Sequence, residues 1–139
     1  MSYLNGLFNA FYTRLYESMP TGYTTNELAN MDAGDAKTIS GKHLVQSTAL
    51  GLRQQTAADT ARCIRQFFIH TVAIYVPNAD RSDRAGILTT ASEIQTLFEK
   101  QEFDNYVTQT SDIDIVGKQV DSKFYRVDVN INGYFEETL

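Results

Sequence analysis

The sequence predicts an α+β fold of two layers, a mostly antiparallel sheet of about four to five strands covered by two helices. Three observations carry that expectation. The run RCIRQFFIHTVAIYV, residues 62–76, is crowded with β-branched and aromatic side chains that suit a pleated, partly buried surface. Residues 123–136 hold the cleanest alternation in the chain. Tyr125, Val127, Val129, Ile131 and Phe135 point one way, and Arg126, Asp128, Asn130 and Asn132 the other, so one face packs and one is wet. Two further stretches repeat apolar residues at helical rather than strand spacing.

The first of these, residues 2–19, carries Leu4, Leu7, Phe8, Phe11 and Leu15 on one stripe, with Pro20 just past its end as a stop. Each such side chain contributes about 1.5–3 kcal/mol when fully buried. The polar face holds almost no Lys or Arg, so the stripe reads as core and not as a membrane-surface anchor. Residues 20–43 are poor in large apolar side chains and rich in Gly, Thr, Asn and Asp, which predicts a long loop with at most a helical turn at 26–30. Loops beyond about 12–15 residues are usually functional or disordered. This one is either a wandering surface segment or a partner-binding arm anchored by Tyr23, Leu28 and Met31.

Residues 44–52 alternate loosely as a strand and 53–59 form a polar turn, so together with the long strand they make an antiparallel hairpin. Pro77 cannot donate to a ladder and ends the long strand. After a polar turn at 78–86, Ile87, Ala91, Ile94 and Phe98 recur at helical spacing with Leu97 beside them. A short strand at 112–116 and a turn at 117–122 then lead into the final strand. The order is α, loop, β, β, α, β, β, in a single domain spanning residues 1–139.

A chain of 139 residues buries about two-thirds of its unfolded surface and needs no staple. Cys63 is the only cysteine, which excludes an intramolecular disulfide and suits assembly in a reducing cytoplasm. Its residue type on a strand reads as a small apolar side chain. The opening MSYLNGLFNAF lacks a basic leader and an unbroken apolar core, and no run approaches the ~20 apolar residues of a membrane span, so neither a cleaved signal nor a membrane is expected. Acidic residues outnumber basic ones 17 to 12, for a net charge of −5, and Lys and Arg do not cluster. Tight phosphate-neutralising contact with DNA is disfavoured.

Chemical motifs do not emerge. GDAKTISGKH spaces Gly34 and Gly41 too far apart for a phosphate loop, puts His43 where Ser or Thr should hold magnesium, and follows no strand. His43 and His70 are the only histidines, and two cannot close a zinc site without a CxxC or HExxH partner set. No GxSxG elbow offers a nucleophile. Asp112 and Asp114 share one face of a strand, and Asp128 and Glu136 lie on the polar face of the last strand. They could work as acid and base only if burial split their pKa values; alternation with Ile113 and Ile115 makes them the wet side of a sheet. Asp80 and Asp83 sit beside Arg81 and Arg84, which oppose a cation and favour local ion pairing or capping. No catalytic residue, cofactor or metal is expected.

In order, size and texture the chain resembles the tail terminator proteins of long-tailed bacteriophages, the lambda-type minor tail family. The resemblance rests on the N-terminal helix in LFNAFYTRLY, the strand ending in IYVPNADRSDRAG, the helix ILTTASEIQTLF and the last strand FYRVDVNINGYFEE, and covers most of the chain. It implies a structural virion protein, not an enzyme. Such proteins form hexameric rings on the head-proximal end of the tail tube, stop its polymerisation, and present a docking surface to head or neck proteins. The partners implied are further copies of itself, the tail tube protein and a neck or head-completion protein, with DNA passing through without specific binding. Six copies at −5 each would bring roughly −30 to the ring, with Asp112, Asp114, Asp128 and Glu136 as candidate lumen-facing acids. Asp80, Arg81 and Arg84 in the turn are candidate contacts with a subunit or partner. A neck or head-closure protein of related fold is the alternative within virion assembly. A small-ligand-binding α+β domain is the alternative outside it, and would need polar groups on the apolar stripes, where the sequence offers Thr71 and His70.

Overall fold

In a computed structural model the chain is described over residues 3–20, 22–26, 41–55, 63–77, 81–118 and 123–138, with backbone alone at 3–4, 24–26, 81–84, 118 and 138. The elements are α1 (Tyr3–Glu17), β1 (Thr24–Asn26), β2 (His43–Gln55), β3 (Cys63–Pro77), α2 (Arg81–Phe98), β4 (Glu102–Phe103), β5 (Tyr106–Lys118) and β6 (Phe124–Thr138). They form the expected two-layer α+β fold. One sheet runs in the order β1-β2-β3-β6-β5-β4, antiparallel throughout except for β1 on β2, and both helices lie on one face.

Between those layers the stripes meet as their spacing demands. Leu7, Phe11 and Leu15 of α1 and Ile87, Ala91, Ile94 and Phe98 of α2 join Phe68, Val72, Ile74 and Val76 of β3 and Val127, Val129, Ile131 and Phe135 of β6 in one core. Phe11 is its hub, in edge contact with Phe68 at 5.4 Å and stacked on Phe98 at 5.2 Å. Gly133 sits opposite Phe68, and a Cβ there would come within 2.6 Å of the Phe68 ring and 2.7 Å of the Val107 carbonyl oxygen. Only a missing side chain lets that ring approach the backbone of β6 so closely. Arg14 closes the layer's end, donating from Nε to the Leu97 carbonyl at 3.1 Å and lying over Phe103. A cation there offsets the negative end of α2.

Several boundaries differ from the sequence expectation. Part of the long loop is strand: Thr24–Asn26 pairs in parallel with His43–Val45, because backbone pairing can form without an apolar pattern; residues 27–40 lie outside the described residues. β2 continues to Gln55 through a bulge between Leu50 and Arg53, where Gln66 Nε2 donates to the Gly51 and Leu52 carbonyls. α2 starts at Arg81, inside the expected turn, since its polar first residues add no apolar stripe to read. β5 begins at Tyr106, six residues before its expected start, after a tight turn in which Asp104 and Asn105 take φ of 50° and 71°.

Candidate functional site

Among the described residues no helix covers the second face of the sheet, and its side chains come from alternate positions of β2, β3, β6 and β5. At the foot of this open face the ring of His43 stacks on Tyr75 at 4.9 Å and meets the edge of Phe124 at 4.9 Å. His43 Nδ1 donates to the Gly41 carbonyl at 2.7 Å, and burial holds the imidazole below its usual pKa. Arg126 extends over Tyr75 and grips Asp128 with two bonds of 2.7 and 2.8 Å. That bidentate grip raises the guanidinium pKa, and burial raises that of the Tyr75 phenol.

Further up, a polar chain crosses three strands. Thr71 Oγ1 donates to Asn130 Oδ1 at 2.8 Å, and Asn130 Nδ2 donates to Asp112 Oδ1 at 2.9 Å. At the head, Arg65 lies 4.1 Å over the Tyr134 ring and pairs with Glu136, which also accepts a 3.5 Å contact from the Cys63 thiol. The pairing pulls the Glu136 pKa down, first through the Arg65 bond and then through the thiol.

The four acids expected on a wet face are thus on one face, but they are not equivalent. Asp112 and Asp114 are exposed. Asp128 is only 8% exposed and opposes Asp114 across the strands, a like-charge pair that Arg126 offsets. Its expected place on solvent is corrected by that burial: the Arg126 fork satisfies the carboxylate where little of it reaches solvent. Glu136 is exposed and bonded to Arg65.

Tyr23, expected as an anchor for a partner, packs half-buried against the protein's own core with Lys42 4.9 Å over its ring. A large aromatic gains more from that burial than from solvent. Leu28, Met31 and Asp80 lie outside the described residues, and Arg81 and Arg84 fall in the first turn of α2 with only their backbone described.

Sequence reasoning missed a buried polar group on the helix-covered face. His70 is fully buried, with Nε2 2.8 Å from Gln46 Oε1 and Nδ1 2.8 Å from Thr48 Oγ1. The amide oxygen must accept from Nε2–H, which leaves Nδ1 to accept from the Thr48 hydroxyl and makes the imidazole neutral. Desolvation drives its pKa down to about 3. Gln46 Nε2 has no hydrogen-bond partner among the described residues. Alternation in β2 carried a signal, because Gln46 and Thr48 follow Leu44 on the inward positions. Thr71, expected beside His70, belongs to the opposite face, since neighbours on a strand alternate.

The ring of Phe11 lies 4.3 Å from that of His70, so the group is sealed by α1 and has no room for a reactant. Among the described residues, no three His, Cys, Asp or Glu side chains converge as metal ligands, and no helix is long and apolar enough to cross a membrane. A scan against protein-family models finds no matching family, and a search of curated proteins finds no matching protein.

Proposed function

We propose that this protein is a structural, non-enzymatic component of a long-tailed phage virion, assembled in the host cytoplasm, that forms a ring on the head-proximal end of the tail tube. There it ends tube growth and offers a docking surface to the neck or head. The observation that carries the reading is the asymmetry of the sheet among the described residues: a sealed helical layer on one side, and on the other a face of paired polar groups and aromatics with strand edges open beside it. Such a subunit has little to do chemically and much surface to share. Copies joined by a heterologous contact that closes by rotation form a cyclic ring.

In the ring the open face lines the channel. Asp112 and Asp114 give that face its exposed negative charge, which lets DNA pass because no counterion release favours binding. Arg65 and Arg126 are each held by a carboxylate, so their charge is offset toward the strand.

Electron microscopy of tails assembled without this protein tests the reading. Overlong tubes are the expected result, and tails of normal length that join heads normally would reject it. Tails of normal length that fail to join heads would move the protein to head closure instead.

A further inference from the structure

Among the described residues the sheet ends in two open edges that lie on a diagonal. There β1 covers β2 at His43–Val45, at one end of the sheet, and β4 covers β5 at Tyr106 and Val107, at the other. The β5 corner is closed as far as Gln109, whose carbonyl accepts from Lys100 N. Among the described residues, no strand pairs with the outer edge of β2 over 46–54 or of β5 over 112–117.

These edges expose large apolar side chains, where solitary edges are normally charged or covered. β2 presents Leu50 and Leu52, 52% and 61% exposed, and β5 presents Ile115 and Val116, 56% and 40% exposed. Leu50 opposes Phe68, and Ile115 opposes Val127, so both stand on the helix-covered face. β5 also carries Asp112 and Asp114, whereas β2 carries Arg53, charges of opposite sign that would steer one edge toward the other.

Direction agrees with closure. Three successive antiparallel pairings separate β2 from β5, so the two edge strands run in opposite senses. Copies related by rotation therefore bring β2 of one beside β5 of the next as an antiparallel pair. We infer that the β2 edge adds to the β5 edge of a second copy of this chain, with Leu50 opposite Ile115, so that one sheet continues from subunit to subunit.

With that register the bulge in β2 returns Arg53 to the face of Leu50, level with Ile113 and flanked along β5 by Asp112 and Asp114. The stagger that this register implies is compatible with closure. Ile115 lies level with Leu44 across the sheet, so meeting Leu50 shifts the neighbour by six residues along the strand. At about 3.3 Å per residue that is about 20 Å. Four long strands spaced about 4.8 Å apart are about 19 Å wide, and the ratio tilts the strands about 45° to the ring axis, at the upper end of the tilt of closed barrels. That tilt does not depend on the number of copies.

The inference rests on the ring reading for closure alone, not for the contact. In a Cys63→Ala background, Leu50→Cys and Ile115→Cys chains are mixed at concentrations that span assembly and oxidised, with circular dichroism confirming both folds. Disulfide dimers joining 50 to 115, without 50–50 or 115–115 dimers, are expected, and the double-cysteine chain should give a ladder ending at the ring. Monomers at every concentration, or assemblies whose thiols at 50 and 115 stay unlinked, overturn the edge contact. Tail length without the protein is read separately: overlong tails with no 50–115 link remove only the edge contact, and a 50–115 link with normal tails removes only the terminator role.

Discussion

The two faces of this sheet are built from the same strands, yet they solve different problems. On the helix-covered face, side chains of α1, α2, β3 and β6 are buried to completion, and even the polar residues His70 and Gln46 are sealed. On the open face, half-buried aromatics and paired charges alternate with exposed acids. One face holds the fold through apolar area; the other keeps its polar groups bonded to one another and available beside the edges. Stability should therefore respond far more to substitutions on the first face than to those on the second.

The sharpest test of that division is Phe11→Ala. It removes the ring shared by Phe68, Phe98 and His70 and should cost about 3–5 kcal/mol in denaturant unfolding. Ile69→Ala on the open face, where the side chain is 42% exposed, should cost less than about 1 kcal/mol. Similar losses at the two positions would break the comparison. Gly133→Ala should follow at about 1–3 kcal/mol, because its Cβ would meet a packed ring and a backbone oxygen that cannot swing aside.

Acid should also act through the covered face. The His70 imidazole titrates near 6.5 when exposed by unfolding and near 3 in the fold. Between those values the unfolded chain binds more protons, so this contribution is complete above about pH 6.5 and is lost as pH falls toward 3. At pH 5 the loss should be about 2 kcal/mol. His43 is shifted in the same direction by burial and adds to the loss. Replacing the whole group, Gln46→Leu with Thr48→Val and His70→Leu, should flatten the profile, since no buried polar partner is left behind. An unchanged acid slope would assign the sensitivity to His43 and the carboxylates.

The division between faces was legible where periodicity is strong. The stripes of α1 and α2, the stop at Pro77 and the alternation of β6 all stand in the sequence, because each reflects burial on one side. What was not legible follows from weak patterns. Tyr106, Thr108 and Ser111 point inward on β5, but two of the three are polar, so the run does not look like a strand. Thr108 is buried because its hydroxyl donates to the Phe98 carbonyl and accepts from Gln101 N, a local bond that hydrophobicity cannot reveal. The His70 group was hidden for a different reason, being long-range in sequence and specified by the β2–β3 register, Thr48 directly opposite His70. On the open face, the position of the acids was readable but their partners were not: Arg126 reaches two residues along its own strand, whereas Arg65 reaches across to β6.

Those two ion pairs complete the gradient at its small end. Asp128 is buried beside Arg126, so Arg126→Met would leave a carboxylate without its fork and should cost about 1–3 kcal/mol. Arg65 and Glu136 keep roughly a third of their side chains in solvent, 32% and 39%. Water screens that pair and competes for it, so Arg65→Met should change stability by less than about 1 kcal/mol. Raising salt to about 1 M, where the screening length falls to about 3 Å, should erase most of the Arg65 effect and leave most of the Arg126 effect. If both pairs faded equally with salt, Asp128 would be as wet as Glu136. The open face would then be uniformly solvated, without a sealed foot below an exposed head.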